Sequence, residues 1–185
     1  MTRPLTLLLL LLVIAVSAPA YGQFHFAATL TGEQEVPGVD TEATATITAR
    51  FDKGFTKAHV VLKVKNGVGI TAAHFHCHRP GANGPIAFGL FAPGPLFFDG
   101  TTAEGDLTNA DFNMADCVPQ VGRPVNNIAA LALAMRDGLI YANVHTTAHP
   151  GGEVRGQLLE VNRGPGKANR GKNDRDDEEE EEEED

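Results

Sequence analysis

A run of alternating histidines is the part of this sequence best suited to chemistry. His74, His76 and His78 are separated by Phe75 and Cys77. Successive side chains of an extended strand point to opposite faces, so the three histidines would share one face. Phe75 and Cys77 would point the other way, into an apolar core. Imidazole nitrogen is a common ligand of copper and zinc, so this face predicts a transition-metal site.

A second histidine strand is predicted at residues 139–146. His145 and Asn143 share one of its faces, and the residues that alternate with them share the other. If this strand lies beside the first, imidazoles from both converge on one point. Calcium and magnesium prefer oxygen ligands, so the predicted ion is copper or zinc. The predicted ligands are His74, His76 and His145, with His78 as a further candidate near the following loop.

The histidines also have an interpretation that needs no metal. They could hydrogen-bond within a β-sandwich and hold its loops in place, as His145 beside Asn143 could do. Other chemistries are weaker, because the sequence lacks a Gly-x-Ser-x-Gly motif and a glycine-rich phosphate loop. Glu35 and Glu153 could pair for glycoside hydrolysis. However, the chain has no Trp and only 2 Tyr to grip a sugar.

The N-terminus resembles a secretory signal peptide, assigned to residues 1–22. Arg3 provides the positive charge, an apolar run follows at residues 5–16, and small residues come next. Cleavage after Ala20 and cleavage after Gly22 both fit. The apolar run is shorter than the roughly 20 residues of a membrane span, and a retained anchor is the alternative. We therefore expect a secreted or periplasmic protein.

Two cysteines, Cys77 and Cys117, are the only ones in the chain. In an oxidising compartment they are expected to form a disulfide, which would close a loop of about 40 residues. The alternative makes Cys77 a metal thiolate beside the histidines. Strand alternation argues against that role, because Cys77 faces away from His76 and His78.

The C-terminal segment, residues 163–185, differs in composition from the rest. It carries five basic and eleven acidic residues, a net charge of −6, whereas residues 23–162 carry nine and thirteen, a net of −4. Such a segment is expected to be a disordered acidic tail that keeps the protein soluble. Loose binding of calcium or of a basic partner is the alternative. The acidity argues against nucleic acid as a partner.

The remaining residues, 23–162, are long enough for one domain, and β-branched residues in alternation dominate them. Strands are predicted at residues 24–30, 43–51, 58–65, 73–78, 86–91, 139–146 and 153–161. The last two would form an antiparallel hairpin. A short helical turn is expected from Thr108 to Ala115, and a helix at residues 127–137, capped by Gly138. This pattern predicts an all-β fold: an antiparallel, Greek-key-like β-sandwich with one or two short helices.

Several motifs in order resemble the chordin-type CHRD domain over residues 24–159. They are Leu30-Thr31-Gly32-Glu33-Gln34-Glu35-Val36-Pro37, Ala73-His74-Phe75-His76, Gly84-Pro85-Ile86, Tyr141-Ala142-Asn143-Val144-His145-Thr146 and Pro150-Gly151-Gly152-Glu153-Val154-Arg155-Gly156-Gln157-Leu158. The resemblance implies an extracellular β-sandwich module. In chordin such modules belong to an antagonist of growth factors, and the single-domain form carries no activity over from that protein.

A looser likeness is to copper/zinc superoxide dismutases. These enzymes also have a His-x-His pair on one strand, a later strand histidine, one disulfide and an arginine near the metal. Here His74 and His76 match the pair, His145 the later ligand and Arg155 the arginine. No histidine lies between His78 and Tyr141, so the zinc-binding set is missing. The likeness implies at most a single-metal site, with Arg155 and Asn143 beside the ion as anion-binding and supporting groups.

Taken together, the residues and the resemblance predict a secreted, non-catalytic CHRD-type binding module that could carry a histidine-bound copper or zinc ion. Its partner would be an extracellular or periplasmic protein, a polymer or a surface. The alternative is a small copper-dependent redox enzyme or copper-handling protein. Arg155 has an alternative role too, as part of a closing strand paired with an acidic neighbour.

Overall fold

The computed structural model describes residues 21–112 and 117–161, with side chains from residue 24 onward. Ten strands and two short α-helices make up this part of the chain. The predicted acidic tail lies outside the described residues, as does the predicted signal peptide up to residue 20. The strands are β1 (Tyr21–Thr31), β2 (Thr44–Asp52), β3 (Lys57–Lys65), β4 (Ile70–Cys77), β5 (Ile86–Phe91), β6 (Phe97–Phe98), β7 (Thr102–Thr108), β8 (Ile140–Thr146), β9 (Val154–Gln157) and β10 (Leu159–Glu160). The helices are α1 (Val118–Val121) and α2 (Ile128–Arg136), and a 3-10 turn covers Gly32–Gln34.

All ten strands belong to one antiparallel sheet. The sheet folds back on itself, so that its shape is close to a barrel and resembles a sandwich of two layers. Its order is β5-β4-β8-β9-β1-β2-β3-β7-β6, and β10 also pairs with β1. β1 pairs with β2 along most of its length but meets β9 only at Thr31 and Arg155. The sheet therefore divides at β1 into two halves with the core between them. The predicted all-β sandwich is confirmed.

Alternation decides which side chains enter this core. In β2, Ala45, Ile47 and Ala49 are buried while the threonines between them face outwards. On the other half, Phe75 of β4 and Phe88 of β5 are fully buried in the same core. β8 is buried along its whole length, because loops cover its second face as well.

The helix predicted at residues 127–137 is confirmed as α2. The Asn127 side chain accepts a hydrogen bond from the Ala130 amide at 2.8 Å and caps its N-terminus. At its C-terminal end Gly138 takes a left-handed conformation with φ of 70°, which lets Leu139 donate to the Ala134 carbonyl. The sequence signals at both ends therefore act as expected.

The predicted helical turn after Thr108 is wrong over the described residues. Thr108 ends β7, and its amide and hydroxyl both donate to the Asp111 carboxylate, which stabilises a non-helical turn. β7 itself was not predicted. It contains Gly105 and two acidic residues, so it lacks a strand signature and exists because it pairs with β3.

Cys77 and Cys117 form the predicted disulfide. It joins the end of β4 to the start of α1, and both cysteines are buried. The alternative that made Cys77 a metal thiolate is wrong, because its sulfur is bonded to Cys117. Among the described residues no helix is long and apolar enough to cross a membrane.

Candidate metal centre

The pairing of β4 with β8 positions the predicted ligands. These neighbouring strands are antiparallel, and their register places His74 opposite Asn143, His76 opposite Tyr141 and Ala72 opposite His145. Adjacent strands and matched alternation bring all of these side chains to one face of the sheet. The expectation that the two histidine strands are neighbours is therefore confirmed.

Three histidine rings meet on this face. One ring nitrogen from each of His74, His76 and His145 lies within 4.8 Å of the others. Nδ1 of His74 is 2.9 Å from Nε2 of His145. The three residues are 8%, 8% and 9% exposed. Such a group can supply three nitrogen ligands to one small ion without large movement.

Backbone carbonyls orient two of these rings. Nδ1 of His76 lies 2.9 Å from the Gly84 carbonyl oxygen, and Nδ1 of His145 lies 2.9 Å from that of Pro150. A carbonyl can only accept, so each Nδ1 carries the proton and each Nε2 has a lone pair that can accept a hydrogen bond or bind a metal. Metal-binding histidines are commonly held in this way. The Nε2 atom of His76 is buried and has no hydrogen-bond partner.

The protonation of the three rings suits a cation. Burial, together with the neighbouring imidazoles, lowers the pKa of His74 to about 4, and burial lowers the pKa of His76 to about 4. Burial also holds the pKa of His145 below its ordinary value. The rings are therefore neutral at physiological pH, as metal ligands must be.

Tyr141 and Arg155 stack in succession on one face of the His76 ring. The His76 and Tyr141 rings stack with centroids 4.9 Å apart and an angle of 9° between their planes. On the Tyr141 ring lies the Arg155 guanidinium, with Cζ 3.4 Å from the ring centroid. This three-layer stack restricts the movement of the His76 ring.

The loop at residues 78–85 is hydrogen-bonded to all three members of this stack. Gly84 donates its amide to Tyr141 Oη at 3.1 Å, and its carbonyl accepts from His76. Only glycine fits at this position, because a Cβ would overlap the Cys77 carbonyl oxygen. Arg155 ties the same loop down by donating to the Asn83 side chain at 3.0 Å and to the Ala82 carbonyl at 2.7 Å.

Comparison with known proteins assigns the chain to a family. Residues 26–158 match the CHRD domain. The chain belongs to the CHRD family. CHRD domains are extracellular, and the Cys77–Cys117 disulfide fits an oxidising compartment. No curated protein and no solved structure matches the chain significantly.

His78 is not brought into the histidine group of the CHRD domain. It follows the end of β4, where alternation stops, and it is only half-buried. Its backbone carbonyl instead accepts from Gln157 at 3.0 Å. The fourth histidine that the sequence analysis considered is therefore not part of the group that the described residues form.

Arg155 has a different environment from the one expected of an anion-binding arginine. It is 2% exposed, and its guanidinium donates one hydrogen bond to Asn83 and one to Ala82. Among the described residues no carboxylate lies within ion-pair distance of it, although the charge of Glu35 acts on it. Arg155 therefore supports the loop of the CHRD domain.

Glu35 is a member of this region that sequence reasoning did not connect to the histidines. It is 8% exposed and follows the 3-10 turn after β1. Burial raises its pKa to about 7, and the nearby Arg155 charge offsets part of that rise. The signal was its place in the first CHRD motif, but only the tertiary structure brings it to β8 and β9.

Glu35 makes the stability of the metal-free CHRD domain depend on pH. Its pKa rises on folding from 4.5 to about 7, so the folded chain binds the extra proton between these values and stability falls as pH rises. Relative to Glu35→Gln, the wild type should lose on the order of 2 kcal/mol of unfolding free energy from pH 4.5 to 7.5. Urea unfolding with a chelator present measures this difference. Exposed Glu33→Gln should follow the wild type, and parallel curves for wild type and Glu35→Gln would contradict the assignment.

Proposed function

We propose that this protein is a secreted, non-catalytic CHRD binding module that holds one copper or zinc ion through His74, His76 and His145. The ion would stabilise the face that carries the loop at residues 78–85. The module itself would engage an extracellular or periplasmic protein, a polymer or a surface, as the family suggests. The acidic segment at residues 163–185 would keep it soluble.

The observation that carries this proposal is the unpartnered Nε2 of His76. A buried polar atom without a hydrogen bond costs about 1–3 kcal/mol, so such atoms are rare unless they serve a purpose. Here the atom belongs to a ring whose other nitrogen is held by Gly84, and it lies in a group with two further imidazoles. A bound cation would satisfy all three rings at once.

The chemistry of the donor set supports copper or zinc as the ion. The three nitrogen ligands come from neutral imidazoles, which suit both metals, whereas calcium and magnesium would need oxygen ligands. To bind through Nδ1, neutral His74 would change tautomer, so that Nε2 and no longer Nδ1 carries its proton. In the metal-free protein that proton is donated to His145 Nε2, because His145 uses its own Nδ1 proton at Pro150.

A copper-dependent redox enzyme is the second candidate, favoured by the His-x-His pair and the later strand histidine. The position of Arg155 argues against a dismutase-like activity. Its guanidinium donates to Asn83 and Ala82 and is almost fully buried, which limits the access of a small anion from solvent. A module that binds metal without catalysing a reaction therefore fits the structure better than a redox enzyme does.

Metal analysis of the full chain, purified from the compartment to which it is exported, tests this proposal. We expect one copper or zinc ion per chain by elemental analysis, and a matching stoichiometry when the metal-free protein is titrated by calorimetry. No binding at micromolar metal, together with an unchanged melting temperature, would retire the site. Stoichiometric copper with superoxide turnover would instead establish the redox enzyme.

A further inference from the structure

Asn143 lies at the centre of the face that carries the three histidines. It pairs with His74 across β4 and with Arg155 across β9, and it is two residues from His145 on the same face of β8. It is 3% exposed, and its Oδ1 is buried without a hydrogen-bond partner. A buried carbonyl oxygen in this position needs an electropositive group.

The surroundings of the amide define its orientation. A Cβ added to Gly152 would lie 2.8 Å from Nδ2 of Asn143 and 2.5 Å from Oε1 of Glu35, so the amide nitrogen and the carboxyl group border the same glycine. The other end of the amide interacts with the His76 ring. Neither Oδ1 of Asn143 nor Nε2 of His76 has a well-formed hydrogen bond.

This arrangement places two acceptors near each other with no donor between them. Nε2 of His76 is an acceptor because its Nδ1 proton is used at Gly84. A flip of the Asn143 side-chain amide would place Nδ2 as a donor beside Nε2 of His76. It would also bring Oδ1 towards the carboxyl oxygen of Glu35. The ionised carboxyl group can only accept hydrogen bonds, so in that form it disfavours an amide oxygen at this position.

From this geometry we infer that Oδ1 of Asn143 is the fourth group of the metal centre, an oxygen beside three nitrogens. Glu35 is then a positioning residue: its Oε1 has no hydrogen-bond partner and borders the same glycine as the amide nitrogen, so it disfavours the amide oxygen on that side and directs that oxygen to the ion. This inference rests on the proposed metal site and adds two residues to it. An oxygen donor favours divalent copper or zinc over cuprous copper, which prefers sulfur and nitrogen.

Zinc titration of three variants and one control variant tests the inference. Asn143→Ala should bind zinc about 10- to 100-fold more weakly, whereas Asn143→Asp, which keeps an oxygen, should stay within about threefold of the wild type or bind more tightly. Glu35→Gln should weaken binding about tenfold, because its amide no longer determines which end of Asn143 faces the ion. Glu33→Gln makes the same change on an exposed neighbour and should bind like the wild type.

Pulsed electron paramagnetic resonance of the copper(II)-loaded protein in D2O gives a readout that does not depend on variant stability. The wild type should show no strongly coupled exchangeable deuteron, because Asn143 occupies the fourth position. Asn143→Ala should gain this coupling, because a D2O molecule enters the fourth position.

The outcomes separate this inference from the proposed function. A coupled deuteron in the wild type, or unchanged affinity in Asn143→Ala, would overturn the role of Asn143 while leaving the histidine site intact. Equal zinc binding by Glu35→Gln and the wild type would overturn the positioning role of Glu35. If the wild type binds neither zinc nor copper, the proposed function and this inference fall together.

Discussion

The His76→Ala variant is expected to lose at least about 100-fold in affinity for copper(II) or zinc. Loss of a supporting partner already weakens metal sites 10- to 100-fold, and removal of an imidazole ligand should cost more. His76 has the only one of the three rings that is fixed both by a carbonyl, from Gly84, and by stacking on Tyr141. Calorimetric titration of the metal-free proteins measures the change.

The matched control for this variant is His78→Ala. His78 is two residues away in the same segment but lies outside the group of three rings, so its removal should change affinity by less than about threefold. Melting curves provide a second check. An excess of metal at 100 times its dissociation constant stabilises a protein by about 2.7 kcal/mol, so the melting temperature should rise in the wild type and in His78→Ala but not in His76→Ala. Equal losses in the two variants would refute the assignment of the ligands.

The second large effect is expected on removal of the disulfide. Replacing Cys77 and Cys117 together by alanine should lower the free energy of unfolding by about 3–4 kcal/mol, because the bridge closes a loop with a sequence separation of 40. Both residues are buried, so loss of the packed sulfurs adds to the effect. Urea unfolding in the presence of a chelator measures the difference.

Single variants provide the control for the disulfide. Cys117→Ala alone breaks the same bond and should account for most of the loss seen in the double variant. Metal stoichiometry should not change in either variant, because Cys77 faces the core while His76 faces the other side of β4. A double variant as stable as the wild type would show that the disulfide does not stabilise the fold by restricting the conformations of the unfolded chain.

Residue alternation made much of the candidate site predictable. Phe75 and Cys77 are fully buried in the core, and the two histidines that alternate with them face the opposite side, because successive side chains in a strand have no other choice. The helix signals at Asn127 and Gly138 are equally local, since each acts within a few residues. The disulfide was predictable for a different reason, namely that two cysteines have one way to pair.

Local signals failed where structure depends on distant partners. β7 forms because β3 needs a neighbour, not because its own residues favour a strand. Thr108 and Asp111, which sequence reasoning interpreted as a helix start, make the same hydrogen bonds at the end of that strand. Likewise, strand alternation would place His78 on the same face as His76, but β4 ends at Cys77 and the chain turns into the loop.

The amino-acid sequence by itself determined the family, the sandwich, the disulfide and the common face of His74 and His76, because motif order and strand period are properties of the chain. Only the tertiary structure decided that Ala72 lies opposite His145, that the carbonyls of Gly84 and Pro150 orient the rings, and that Arg155 supports a loop. It also decided that Glu35 lies beside Gly152 and near Asn143. Strand register and loop closure depend on burying the two halves of the sheet against each other, and no single segment contains that information.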